Sequence, residues 1–461
     1  MNNDDNFLHF LTDKMTKDKI YPPQKLAKNL SKEEVFKSWQ ALSQKIKLKE
    51  LKGHNLGIYL HFPFCLSKCR FCYCHSAQES DFNIINDYVD KMLSEINYFS
   101  RALKSIAINT LYVGGGTPSY LSIDLIEKVF KRLFEKFKID SSNWQFNFEA
   151  SPLTLTKEKL DLLKNFGVNR LSMGVQSLNK KVLNNINRKQ SYEMIEDIVR
   201  YSRKIGIAYV NLDYVAGLPG ETLQSFLAGF LRFIKIRPDI VHLYKFYPAD
   251  NTIFFKEGMI YGDQEIKLRQ KMIDLGEKIV KKNGYKIIRN EFEAWGLNLK
   301  ARNEQDAGRK EKPYSILGLG SYAKSHIFNI LHYQSGANHY FNKLGYEYKG
   351  NYVNEKDEMS HFILSTGRGG FKISEFEEIF KMNPLEVFDD EFNYLKNNNK
   401  LKIESNLIRI MTNDSNEYHF LIKKLFYSQE IIDELKEYYQ NEYNSNKNYQ
   451  RILESRIVDR F

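Results

Sequence analysis

Cysteine is nearly missing from this chain: four in 461 residues, at Cys65, Cys69, Cys72 and Cys74. A disulfide framework spreads its cysteines to close loops, so one tight cluster in so long a chain points instead to a metal or a reactive thiol. Also lacking is any unbroken apolar run of bilayer-spanning length, which argues against a membrane-crossing helix. The start, Met1-Asn2-Asn3-Asp4-Asp5, lacks the basic and apolar regions of a secretion signal. The expected location is therefore the cytoplasm, where thiols stay reduced. The net charge of +11 comes without a polybasic block. Dispersed lysine reads as a solvated surface and argues against a nucleic-acid partner, although a small polycarboxylate would be welcome in a positive pocket. No segment repeats another.

What is present is core-forming material. Apolar residues make up 42% of the chain, with 29 Tyr and 32 Phe, enough for a large α/β domain and smaller pieces around it. Residues 1–55 read as an N-terminal helical extension packed on the main domain, with Pro22-Pro23 as a break and Ser31 as an N-cap. From Leu56, short apolar runs alternate with helical periodicity. Strands are expected at Leu56 to Phe62, Ile106 to Val113, Trp144 to Glu149, Asn169 to Val175, Ala208 to Ala216 and Ile240 to Phe246. Helices are expected after Asp81 and Ser122. Six strand-then-helix units imply a parallel sheet, either open or an incomplete (β/α)6-type barrel, over residues 56–250. Residues 251–354 are less regular and include a polar loop, Lys300 to Lys312. Residues 355–461 carry the order of a small α+β winged-helix-like domain followed by a charged tail.

The spacing C-x3-C-x2-C is a ligand pattern. Three thiolates on a short loop can hold three irons of a [4Fe-4S] cluster and leave the fourth open, whereas structural zinc usually takes two separated pairs. Zinc or idle thiols stay open on spacing alone. The strand ends form a second pattern, because a parallel α/β domain gathers ligands at the carboxyl ends of its strands. The first strand leads into the cysteine loop and the second into Gly114-Gly115-Gly116-Thr117-Pro118, where missing side chains let backbone approach a ligand. The next three offer Glu149, Gln176 and Asp213. Glycine runs are often plain turns, and strand-end carboxylates are often satisfied by a helix N-terminus. Asp213 is harder to dismiss, since it interrupts an apolar strand where an unpaired charge costs several kcal/mol. Gly318-x-Gly320-x-x-Ala323 matches a dinucleotide fingerprint by letters only. It lacks the opening βαβ unit and the acidic residue, and reads as a turn lining the pocket.

The run Tyr59-Leu60-His61-Phe62-Pro63-Phe64-Cys65-x3-Cys69-x-Phe71-Cys72-x-Cys74, with Gly114 to Pro118, Gly167 to Gln176 and Asp213-x3-Gly217-Leu218-Pro219, resembles the radical S-adenosylmethionine (SAM) superfamily. Within it the chain is similar to the oxygen-independent coproporphyrinogen III oxidase family. The resemblance implies that Cys65, Cys69 and Cys72 hold the [4Fe-4S] cluster and that its open iron binds SAM, one molecule or two. Gly115, Gly116 and Thr117 would meet the methionine end, Glu149 and Arg188 its polar groups, and Gln176 and Asp213 the adenosine region. Tyr59 would lie at the reacting centre beside cluster and SAM. A fourth thiolate would block the open iron, so Cys74 is not counted as a ligand. The implied reaction uses a 5′-deoxyadenosyl radical to remove hydrogen from a propionate of coproporphyrinogen III, with loss of carbon dioxide, giving the vinyl groups of protoporphyrinogen IX. The implied partners are a tetrapyrrole substrate and an electron donor such as flavodoxin or ferredoxin, with the chain a monomer. The segment Lys245 to Thr252 departs from the oxidase pattern, which leaves radical methyl transfer, haem degradation and haem chaperoning without turnover as alternatives.

Overall fold

The computed structural model describes residues 3–14, 22–51, 53–249, 252–259, 262–289, 294–297, 313–336, 348–412 and 415–445. The polar loop at 300–312 and the end of the charged tail lie outside the described residues. Six strands run parallel in chain order: β1 (Asn55–Phe62), β2 (Thr110–Gly115), β3 (Gln145–Ala150), β4 (Arg170–Gln176), β5 (Tyr209–Ala216) and β6 (Ile240–Lys245). Each falls within a few residues of the run that marks it in the sequence. A seventh parallel strand, β7 (Tyr314–Leu319), returns to the far side and pairs with β1. From β7 the sheet continues antiparallel through β8 (Lys324–Ile327), β9 (Leu331–Ser335) and β10 (Tyr348–Tyr352) to Lys28–Leu30. Beyond β6 it ends with Ala294–Gly296 and Lys286–Arg289. The architecture is α/β, a mixed sheet with helices, and no bond joins the two end strands among the described residues.

Alternation along the strands explains the layering. Ile58, Leu60, Leu111, Val113, Phe146, Phe148, Leu171, Met173, Val210, Leu212, Val241 and Leu243 point to one face, where the helices cover them. The main core lies there. The opposite face carries Tyr59, Tyr112, Asn147, Glu149, Ser172, Asn211, Asp213 and His242, the intervening positions of the same strands. Period-2 patterning has thus made one side of a central parallel sheet polar, which a purely structural sheet covered on both faces does not need.

Helices cross between the strands with caps readable in the sequence. Asp81 accepts from the amide of Asn83 at the start of Phe82–Leu103, and Ser122 from that of Leu125 at the start of Ile123–Lys136. Ser31 and Glu34 form a capping box on Lys32–Lys47, whose Val35, Trp39 and Leu42 enter the main core. The first helix, Asn3–Lys14, does otherwise. Its Phe7, Leu8, Phe10 and Leu11 enter a second core built by the C-terminal module, so the N-terminal segment is shared between two cores rather than packed wholly on the main domain.

That module opens with the helix Glu355–Thr366. It continues through Ile373–Phe380, two short helices broken at Phe388, and a small sheet of Phe371–Lys372, Leu407–Ile410 and Leu401–Glu404. Helices Ser415–Phe426 and Gln429–Ser445 complete it. Phe328, between β8 and β9, stacks on Phe380 at 5.9 Å and ties the sheet to this module.

Candidate active site

The cysteine loop leaves β1 and returns to itself. Phe64 and Cys65 pair in parallel with Ala77 and Gln78, so the loop's two ends are held together. Inside it, the amide of Cys72 donates to the carbonyl of Cys69 at 3.1 Å, and Lys68 Nζ donates to the carbonyl of Ser76 at 2.6 Å. The segment after β4 clamps it from outside. Asn187 Nδ2 donates to the carbonyl of Lys68 at 3.0 Å, and the amide of Arg70 to that of Ile186 at 3.3 Å.

Cys65 is buried, Cys69 and Cys72 are partly buried, and Cys74 is exposed. Two of the sulfurs have donors behind them: Thr117 Oγ1 lies 3.4 Å from Cys65 Sγ, and Arg188 Nη1 lies 3.4 Å from Cys69 Sγ. Burial pushes the Cys65 thiol up. Cys72 is drawn down to about 6, first by a hydrogen bond from the Cys74 thiol and further by the charge of Lys68. The same bond raises Cys74. Cys74 therefore serves as a donor to Cys72, a thiol beside a thiolate. Thiolates backed by hydrogen-bond donors on a closed loop fit an iron–sulfur cluster.

The glycines after β2 press against this loop. The amide of Gly116 donates to the carbonyl of Phe62 at 2.7 Å, and that of Thr117 to the carbonyl of Phe64 at 2.8 Å. A Cβ on Gly116 would lie 2.8 Å from the Phe64 carbonyl oxygen, and Gly115 has φ +113. In this chain the absent side chains let two stretches of backbone meet, a packing reason that holds whether or not a ligand also approaches.

Across the polar face, Tyr112 donates to Glu149 at 2.5 Å and the Gly115 amide reaches the same carboxylate at 3.3 Å. Burial raises Glu149 to about 7, against which these hydrogen bonds work. Tyr59 hydrogen-bonds His61 Nδ1 at 2.9 Å, and His61 Nε2 contacts the carbonyl of His75 at 3.0 Å, so Tyr59 is linked to the cysteine loop. Gln176 ends β4 with φ +67 at an irregularity in the β4–β5 pairing. Arg188 Nη2 donates to the carbonyl of Gly174 at 2.6 Å, and a Cβ on Gly174 would lie 2.3 Å from Gln176 Nε2. Asp213 accepts from Asn211 Nδ2 at 2.9 Å and contacts His242 Nδ1 at 3.0 Å, which pairs the charge that its strand position requires. Buried oxygens of Asn147 and Asn211 have no partner. Such atoms on a polar sheet face are what a polar ligand satisfies.

Sequence reasoning missed several neighbours. His242 reaches Asp213 only through the β5–β6 register. Tyr322, in the turn after β7, stacks on His75 at 3.5 Å with rings 4° from parallel. Neither contact leaves a local spacing to find.

Residues 59–229 match the family model of the radical SAM superfamily, and the chain carries a radical SAM domain. Over 231 residues it is 32% identical to the haem chaperone HemW of Buchnera aphidicola subsp. Acyrthosiphon pisum, covering 50% of this chain and 60% of that one. Over 236 residues it is 31% identical to the oxygen-independent coproporphyrinogen III oxidase of Escherichia coli, covering 50% and 51%. The match thus spans about half to three fifths of the length of these two relatives. The structure superposes on the coproporphyrinogen III oxidase HemN of Escherichia coli with TM-score 0.72 at 20% identity, over 90% of this chain and 98% of that one, a likeness of fold. Homology to both the oxidases and HemW is clear, and no helix among the described residues is long and apolar enough to cross a membrane.

Proposed function

We propose that the chain is a radical SAM enzyme acting on a tetrapyrrole, by oxidative decarboxylation of coproporphyrinogen III propionates to vinyl groups. The observation that supports it most is the union of a closed three-cysteine loop with a polar sheet face holding Glu149 and Asp213 on one side and Arg188 on the other. Cys65, Cys69 and Cys72 are the residues to hold a [4Fe-4S] cluster, and cluster and SAM together supply a one-electron route to hydrogen abstraction from unactivated carbon. The chain's part is to bind and orient. Glu149 offers a carboxylate for the SAM ammonium, Arg188 a guanidinium for its carboxylate, and Asp213 an acceptor for ribose hydroxyls. Tyr59, held by His61, borders the same face and excludes water from it. The net charge of +11 suits a substrate with several carboxylates.

A second reading, a haem chaperone, draws support from the HemW relative of Lactococcus lactis, which aligns over 349 residues at 25% identity and 89% of its length. One experiment separates them: anaerobic incubation of reconstituted protein with SAM, reductant and coproporphyrinogen III, with nucleosides and porphyrins analysed together. The oxidase reading requires 5′-deoxyadenosine together with the monovinyl intermediate and protoporphyrinogen IX. Stoichiometric haem binding without turnover would replace it with the chaperone. SAM cleavage with the porphyrinogen untouched would move the search to other substrates.

A further inference from the structure

At the junction of the sheet and the C-terminal module, far along the chain from the cysteine loop, His326 of β8, His332 of β9 and Glu358 of the helix Glu355–Thr366 converge. Their ligand-capable atoms lie within 4.8 Å of one another. His326 Nε2 is 2.7 Å from Glu358 Oε1, and His332 Nε2 is 3.2 Å from Glu358 Oε2. His361, three residues beyond Glu358 and so on the same helix face, brings its ring to 5.0 Å from that of His332 and 5.9 Å from that of His326. We propose that His326, His332 and Glu358 form a binding site for one divalent transition ion of the zinc class, separate from the cysteine loop.

Three features point to an ion rather than to hydrogen bonding alone. The donor set is two imidazoles and one carboxylate, a combination that binds zinc with one coordination position left over. Next to it is a cavity of about 30 Å³ lined by His326, Glu358, His361, Tyr314, Phe328 and Phe362, room for a water in that remaining position. Beside the cluster, His54 packs its ring 6.2 Å from Phe328, and both its nitrogens are buried with no hydrogen-bond partner. A fourth imidazole left unsatisfied is a group awaiting a ligand or a water held by one.

The spacing supports the same conclusion. Ligands about 2.0–2.1 Å from a tetrahedral ion stand ~3.3 Å apart. The His332 contact is already near that separation, and the His326 contact needs to open by about half an ångström. In the metal-free chain both Nε2 atoms face the carboxylate, His326 at 2.7 Å and His332 at 3.2 Å. Binding puts the Nε2 lone pair on the ion, and the imidazole carries its proton on Nδ1. Because the ligands come from β8, β9 and the first helix of the C-terminal module, the ion would fasten that module to the sheet.

The test is zinc content of the full-length protein after loading with Zn²⁺ and desalting, with iron counted separately. Wild type and the triple variant C65S/C69S/C72S should each retain one zinc per chain and unfold at a higher temperature with zinc than after chelation. Glu358→Gln and His332→Ala should weaken zinc binding by roughly 100-fold or more. Co²⁺ in place of zinc should give d–d absorption without a thiolate charge-transfer band. The proposal is overturned if wild type holds no zinc, or if zinc disappears with the cysteines and persists in both histidine-site variants. Should those variants misfold, the zinc-dependent rise in the C65S/C69S/C72S protein still decides, and no rise there refutes the site.

Discussion

Arg188 joins Cys69 to the β4 strand: one guanidinium nitrogen lies 3.4 Å from the cysteine sulfur and the other 2.6 Å from the carbonyl of Gly174. Its Nε donates to Gln190 Oε1 at 3.0 Å, which fixes the plane of the fork. The residue therefore sets the distance between the cysteine loop and the polar sheet face. A lysine donates from a single nitrogen and does not reproduce the planar fork that reaches both acceptors from separate nitrogens. Arg188→Lys is expected to keep its iron and lose SAM affinity by about 10-fold, and Arg188→Gln by ~10–100-fold, from hydrogen bonds worth about 1.5–3 kcal/mol. Equilibrium binding of SAM with parallel iron assay checks this, and unchanged affinity in Arg188→Gln removes the residue from the site.

Cys74 should prove dispensable for iron and important for its neighbour. The neighbouring Cys74 thiol is the chief influence drawing the Cys72 thiol down, to about 6. The thiolate is the nucleophile, so alkylation of Cys72 should be fast at neutral pH. In Cys74→Ala its midpoint should move up toward the ordinary thiol range, while reconstituted iron per chain stays at the wild-type value. Cys69→Ala, by contrast, should lose the cluster. Alkylation mapped by mass spectrometry across pH gives the midpoint, and a Cys72 profile indifferent to Cys74 disproves the donor role.

Glu149 predicts a pH dependence whose sign can be worked out. Its folded value of about 7 lies above the ordinary 4.5, raised mainly by burial. A carboxyl raised in the folded state contributes stability that is complete below pH 4.5 and is lost as pH climbs through about 7. For the metal-free protein this amounts to up to about 3 kcal/mol across that window. Glu149→Gln should flatten that part of the stability profile and remove the drop. SAM binding should run the opposite way, weakening below pH ~7 as the carboxylate that meets the ammonium becomes protonated. Denaturant unfolding and SAM titration at several pH values read both slopes, and parallel slopes in wild type and Glu149→Gln would falsify the assignment.

Much of the core was legible because its signals are local. The strands β1 to β6 stand out as apolar alternations, and Asp81, Ser122 and Ser31 announce helix starts through caps that occupy only a few residues. The cysteine loop was legible for the same reason. Hidden features depend on distant pairing. β7 joins β1 across more than half the chain, and nothing near Tyr314 says which edge it will take. The tail from Asn416 reads as charged, with a helix expected only near Gln429 to Tyr439, yet the helix Ser415–Phe426 before it buries Leu421 and Ile422 in the second core. The His326, His332 and Glu358 cluster has no compact spacing at all, since it is assembled by a hairpin and a helix from another module.

Asp213 and His242 give the sharpest separation of function from structure. Removing the carboxylate in Asp213→Ala takes a ligand contact from the polar face and also leaves His242 Nδ1 and Asn211 Nδ2 without this acceptor. An unsatisfied buried donor costs about 1–3 kcal/mol, so some loss of stability is expected on structural grounds alone. His242→Ala removes the same pair from the other side and keeps the carboxylate. If Asp213 binds the adenosine end of SAM, Asp213→Ala should lower SAM affinity by about 10-fold or more with iron retained. His242→Ala should then lose comparable stability with much less effect on SAM. Thermal unfolding and SAM binding on both variants make the comparison. Equal losses of affinity would mean that Asp213 acts by holding β5 against β6 and does not itself touch the ligand.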